Sequence, residues 1–457
     1  MSYLVAIDNG SQSTKVSIVD EAGRVHAWAQ RPLRPYAHPA PGQVVHPEDD
    51  VWDSIAEACT EALRGFTGSL GEIAGVGLCT IRFCRALLGA DGRLAEPLLS
   101  WMDDRLGRPQ WDDPAVRYVT TSSGYVTHRL TGQFRDTAGN YEGMWPIDHE
   151  SWRWPDSSPS YEDTGMRREQ LFELVDPGAL LGHVTSGAAR ATGLPAGVPV
   201  YATSNDKAVE ALGSGLGEEL LVSLGTYIAA MTTGARHVVD PAGRFWSNFG
   251  SVPGKYLYES NGIRRGMWTV SWYRQLLDTD LGELESGAAA VAPGCDGLMT
   301  VLDWLAPADH PHRRGALLGF DGSQGRYHVH RSILEGIALT MHRHSTSMAG
   351  ALGREFPELI VSGGGSRSDL MMQIFADVFG KPVRRTRMSD AAGLGAAICA
   401  AVGSGVHPDW DTAVKAMVTT ADVFTPSPAA GAYASISRDH ARITEFTDPL
   451  FASMNRT

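Results

Sequence analysis

Asp8, Asn9, Gly10, Ser11, Gln12, Ser13, Thr14 and Lys15 form a polar run between two apolar segments. Such a run reads as a tight turn joining two strands, whose backbone N–H groups and hydroxyls can surround a phosphate. Lys15 adds a point charge, and Asp8, where a buried strand ends, is placed to reach a hydrated Mg²⁺. A plain polar hairpin would use the same residues. Ser223-Leu224-Gly225-Thr226 is a second turn of this kind. Ser362-Gly363-Gly364-Gly365-Ser366 follows an apolar strand and opens a helix, so helix N-terminal amides there would face an anion or a purine ring. A strand-to-helix turn explains one glycine but hardly three. Asp206 lies in Thr203-Ser204-Asn205-Asp206-Lys207-Ala208, between strand-like residues 198–202 and a helix of small residues. An aspartate at such a corner can serve as a general base or as the helix N-cap, and the local sequence leaves both open. No GxxxxGK followed by Ser or Thr occurs, and Gly213-Ser214-Gly215-Leu216-Gly217 lacks the setting of a dinucleotide fingerprint.

These residues need a frame that brings distant turns together. Residues 3–7 read as a buried strand and 15–20 as its alternating partner; 220–224 and 228–233 repeat that strand–polar turn–strand in miniature. Helical spacing is expected over 49–63, 331–348 and 368–379, with further strands at 73–78, 255–260 and 359–361. Residues 391–402 read as a small-residue helix able to pack tightly on a neighbour, and 101–160 as loops and short helices. Strands alternating with helices, twice over, predict two doubly wound α/β domains, divided near 233–241. A chain of 457 residues accommodates two such domains. Its net charge of −13, without any basic run, argues against a nucleic-acid partner. Five scattered cysteines suit buried reduced thiols, and no apolar run is long enough to span a membrane. A soluble cytoplasmic protein is the expectation.

Taken in order, these segments resemble the FGGY family of carbohydrate kinases, which includes glycerol kinase, xylulokinase and ribulokinase. The likeness runs from Ala6-Ile7-Asp8-Asn9-Gly10 through Trp101-Met102-Asp103-Asp104-Arg105 and His128-Arg129-Leu130-Thr131-Gly132. It continues with Thr192-Gly193-Leu194-Pro195-Ala196-Gly197, Asn205-Asp206-Lys207-Ala208, Leu334-Glu335-Gly336, the Gly363–Gly365 turn and Gly393-Leu394-Gly395-Ala396-Ala397. The resemblance implies two actin-like (ribonuclease H-like) ATPase domains facing a cleft, 1–236 binding sugar and 237–457 binding ATP. It implies that Asp206 is the base for a sugar hydroxyl and that Asp8, with Asp206, holds Mg²⁺. Ser11, Gln12, Ser13, Lys15, Gly225, Thr226 and Gly266 would then meet the phosphates, and Gly363, Gly364 and Ser368 the adenosine. Arg82, Trp101 and Asp103 would contact the sugar, while Trp268 and Trp272 suit a core role. The implied reaction is ATP-dependent phosphorylation of a ketopentose such as xylulose or ribulose; the alternatives are a polyol or sugar-acid kinase, or a non-catalytic actin-like regulator. A homodimer is the implied assembly.

Two departures stand out. Relatives of this kind have a longer segment where only Leu106 to His128 bridges the gap here. Ile263-Arg264-Arg265-Gly266 places two arginines at a turn that is usually neutral. A surface salt bridge or an anionic substrate would account for them.

Overall fold

A computed structural model describes residues 2–107, 113–143, 145–157, 159–307, 309–388 and 390–454. One sheet contains β1 (Tyr3–Asn9), β2 (Ser13–Asp20), β3 (Val25–Pro32), β4 (Ile73–Thr80), β5 (Leu180–His183) and β6 (Pro199–Tyr201). Its order is β3-β2-β1-β4-β6-β5. Every residue of β1 is buried, and Tyr3 to Ile7 form an unbroken apolar run before the buried Asp8 and Asn9; β3, at the edge, turns only Ala27 and Ala29 inward. Leu4, Val5 and Ile7 are fully covered, each contributing about 1.5–3 kcal/mol by burial.

A second sheet contains β7 (Leu220–Leu224), β8 (Ile228–Gly234), β9 (Phe245–Phe249), β10 (Tyr256–Ser260), β11 (Leu359–Ser362), β12 (Val383–Thr386) and β13 (Thr420–Phe424). Its order is β9-β10-β8-β7-β11-β12-β13. β7 pairs antiparallel with β8 and parallel with β11, as β1 does with β2 and β4. The duplicated hairpin legible in the sequence therefore opens each sheet. The second sheet draws its first two strands from before position 237, so the expected division at 236/237 falls after β8 rather than between the sheets.

The helices that matter to the cleft are α1 (Asp50–Gly65), α2 (Asp206–Gly213), α3 (Gly266–Leu276), α4 (Arg326–Leu352), α5 (Asp369–Phe379) and α6 (Ala391–Gly403). α4 extends well past the expected 331–348 and stops at Gly353. α6 belongs to the second half of the chain, yet it packs on α2 and on β1 and β4 of the first sheet. This close approach needs glycine: a Cβ at Gly213 would overlap the Ala391 carbonyl, and one at Gly395 the Val209 carbonyl.

The described residues of 101–160 are more ordered than the sequence suggested, and residues 108–112 of the shortened 106–128 segment lie outside the described residues. A helix occupies Ser122–Thr131, and Tyr118–Thr121 pairs with Arg85–Leu88. Further on, Trp152 Nε1 donates to the Tyr256 hydroxyl at 3.1 Å, and that hydroxyl donates to the His149 carbonyl at 2.6 Å. This aromatic seam ties the first half of the chain to the second sheet. Among the described residues no helix is long and apolar enough to cross a membrane.

Candidate active site

Asp206 is the first residue of α2. The N-cap is its neighbour Asn205, whose side chain accepts from the amides of Lys207 and Ala208, both at 3.0 Å. Asp206 Oδ1 also accepts from the Lys207 amide, at 2.9 Å, so the two side chains share that donor while the cap itself is Asn205. It sits deep but open, with 27% of its side chain exposed and Arg82 Nε 3.6 Å away. Burial raises its pKa, opposed by Arg82 and Lys207 and reinforced by Glu210 and Glu259. A carboxylate that holds its proton more tightly than usual is a stronger base.

Arg82 faces both domains. Its fork is bidentate to Glu259 of β10, Nη1 to Oε2 at 2.8 Å and Nη2 to Oε1 at 2.9 Å. The guanidinium also lies 4.8 Å from the centre of the Trp246 ring. Glu142, buried near this pair, has its pKa pushed well above the ordinary value by burial, with Arg82 opposing and Glu259 and Asp206 adding to it. Behind Asp206, Lys207 Nζ donates to Glu210 Oε2 at 2.8 Å and to Ser223 Oγ at 2.7 Å. Ser362 Oγ closes on the other Glu210 oxygen at 2.6 Å. α2, which follows the first sheet's last strand β6, is thereby pinned to β7 and β11 of the second sheet.

At the end of β1, Lys15 Nζ lies 3.3 Å from Asp8 Oδ2 and 3.2 Å from Asp390 Oδ1. Asp390 immediately precedes α6, so the ammonium spans 375 positions of sequence. Burial and the neighbouring Asp390 carboxylate push Asp8 up to about 7, against the pull of Lys15. Burial opposes charge on Lys15 as well, yet the two carboxylates hold its pKa above the ordinary range. Two carboxylates sharing one ammonium are short of positive charge, and that donor set fits a largely hydrated divalent cation. Across from it, Gln12 Nε2 makes a long contact of 3.5 Å to Thr226 Oγ1, so the two polar turns face each other. The Gly266 amide donates to the Thr226 carbonyl at 2.7 Å, which seats the start of α3 on the second turn.

Gly363 has φ +82°, and a Cβ there would lie 2.7 Å from the Leu224 carbonyl, whereas Gly364 faces open space. The glycine turn thus lies beside the end of β7 with one face free. Ser368 caps α5, accepting from the Met371 amide at 3.0 Å and donating to Glu285 at 2.5 Å.

Not every expected residue joins this group. Asp103 has both oxygens committed, to Arg105 and to the Val44 amide at 2.8 Å, and Trp101 is 41% exposed. Asp103 and Arg105 therefore brace their own loop. Arg264 donates to the Ala306 carbonyl at 2.8 Å, and Arg265 lies over Trp268 at 4.5 Å; these contacts stand where a salt bridge was expected. Trp268 and Trp272 stack at 6.3 Å. Sequence reasoning missed Asp390, Glu259 and Glu142. Only Asp390 carried a signal, an acid directly before a helix of small residues.

The comparisons agree with this geometry. Residues 3–108 match the N-terminal domain model of the FGGY family of carbohydrate kinases, and 220–404 the C-terminal domain model. An uncharacterized sugar kinase of Escherichia coli K12, YgcE, is 46% identical over 439 residues, covering 93% of this chain and 89% of its own. A xylulose kinase of Lactococcus lactis is 25% identical, covering 94% and 93%. The structure of a xylulose kinase from Rhodospirillum rubrum superposes with a TM-score of 0.83 at 25% identity, over 98% of this chain and 100% of that one. With both domain models matched in order along a pair of facing duplicated sheets, the chain belongs to the FGGY family of carbohydrate kinases.

Proposed function

We propose that the protein transfers the γ-phosphoryl group of ATP to a hydroxyl of a small sugar, a ketopentose such as xylulose or ribulose being the leading candidate. The observation that carries this reading is Asp206: a carboxylate that leaves the N-cap to Asn205, keeps 27% of its side chain exposed and is held beside Arg82. In this reading Asp206 accepts the proton of the attacking hydroxyl as the oxygen bonds to phosphorus. Positioning and charge stabilisation dominate such a transfer. Ser11, Gln12, Ser13 and Lys15 on one side, and Gly225, Thr226 and Gly266 on the other, hold the phosphates. Gly363, Gly364 and Ser368 border the adenosine. Asp8, with Asp390 adjacent, would hold Mg²⁺, whose charge offsets that of the phosphates. The first domain takes the sugar and the second most of the ATP.

The test is ADP release from Mg-ATP across pentuloses, polyols, hexoses and sugar acids, with Asp206→Asn in parallel. One acceptor should raise turnover, and the substitution should lower kcat by about 10²–10⁴-fold while ATP still binds. ATP binding without any acceptor-dependent turnover would overturn the reading. A homodimer, the assembly of this reading, is checked by light scattering.

A further inference from the structure

Glu142 is 4% exposed, and its two oxygens have different fates. Oε1 accepts from Asn205 Nδ2 at 2.8 Å, so it is tied to the residue that caps the base's own helix. Oε2 has no hydrogen-bond partner among the described residues. Asn248, 1% exposed, shows the same asymmetry. Its Nδ2 donates to Glu259 Oε2 at 3.3 Å, while Oδ1 is unpartnered. Both residues border the Arg82–Glu259 pair. Buried polar atoms are nearly always paired, so two leftover acceptors around one ion pair ask for a ligand that brings donors. The cations nearby are committed: Arg82 to Glu259, and Lys207 to Glu210 and Ser223.

We propose that Glu142 is a specificity-determining residue that binds an acceptor hydroxyl through Oε2, and that the site takes an uncharged polyhydroxy compound, ketose or polyol, in preference to its sugar acid. This rests on the kinase reading above. A hydroxyl both donates and accepts, so it satisfies Oε2 whether or not the carboxyl carries a proton, and it can serve Asn248 Oδ1 as well. A carboxylate brings acceptors only. Its charge would join those of Asp206 and Glu259 where Arg82 and Lys207 are already engaged, and such like-charge crowding is how a site rejects the wrong partner. Arg264 and Arg265, the two arginines that could have suited an anion, are turned instead to the Ala306 carbonyl and the Trp268 ring.

The experiment compares ketopentoses and pentitols with the matching aldonates, using the wild type, Glu142→Gln, Glu142→Ala and Asn248→Ala. Neutral acceptors should exceed aldonates by about 100-fold or more in kcat/KM. Glu142→Ala should raise the acceptor KM about tenfold with the ATP KM unchanged, because one substrate hydrogen bond is lost. Glu142→Gln, which keeps a donor and an acceptor in place, should recover most of that loss. A wild type that prefers an aldonate overturns the substrate class, and an unchanged acceptor KM in Glu142→Ala overturns the residue's role. If Glu142→Ala does not fold, Asn248→Ala decides: a rise confined to the acceptor KM supports the proposal and no change defeats it. If neither acceptor class raises turnover while ATP binds, the kinase reading has fallen and this one with it.

Discussion

The β1–β2 turn and the β7–β8 turn occupy the same place in two sheets of like topology, but they differ in charge. The first has Asp8 and Lys15 and receives Asp390 from α6. The second offers Gly225, the Thr226 hydroxyl and backbone groups, and it braces the start of α3. Duplication of the scaffold has not duplicated the electrostatics. Two like charges about 4 Å apart near a surface repel by about 4 kcal/mol, so a second acidic turn opposite the first would resist closure. A neutral turn can approach the charged one without that penalty. The pattern implies a division of labour in which one turn manages charge and the other supplies shape.

Four measurements test this division of labour. Asp8→Asn should have the largest effect, lowering kcat by about 10³-fold, read by ADP release at saturating ATP and acceptor. Lys15→Met should raise the ATP KM by about 30-fold, the scale of a charge-assisted contact. Because Lys15 is 38% exposed, its structural contribution is only about 1 kcal/mol, a fall of about one to two degrees in melting temperature for a chain of this size. The third concerns pH. Asp206 must be deprotonated to act, and its pKa is raised, so the rate should fall on acidification through a limb above the ordinary carboxylate value of about 4. Arg82→Gln removes the charge that most opposes this rise, so the limb of kcat/KM should move to higher pH. Thr226→Ala should have the smallest effect, about fivefold in ATP KM, with the acid limb unmoved. An effect of Thr226→Ala as large as that of Lys15→Met would abolish the asymmetry.

Much of the frame was legible because it is local. Strand periodicity marked both hairpins, and the small-residue run at 391–402 announced a helix built for close packing, which α6 is. Asp8 and Asp206 could be singled out because each stands where an apolar run ends. The partners that give them their chemistry could not. Arg82 meets Glu259 across 177 positions, and Lys15 meets Asp390 across 375, so no window of sequence contains either pair. Asp103 shows the opposite difficulty. Its likeness to a sugar-contact motif was visible, but so was Arg105 two residues on, and it is Arg105 that occupies the carboxylate. Part of the order within the described residues of 101–160 escaped notice because Tyr141, Trp145, Trp152 and Trp154 are buried in the core of the second sheet rather than by any periodic face of their own.

In mechanical terms, the crossing of α2 and α6 is a bearing with little slack. Backbone lies against backbone at Gly213 and Gly395, so no side chain can change rotamer there to absorb a displacement. α6 runs from Ala391 to Gly403, so its far end lies about 12 Å beyond the crossing at Gly395, and a rotation of about 10° there would carry that end about 2 Å. The end nearest Asp390 carries the counter-charge of Lys15, and α2 carries Asp206. A small torque at this joint would therefore move the base and the charged turn together as one lever.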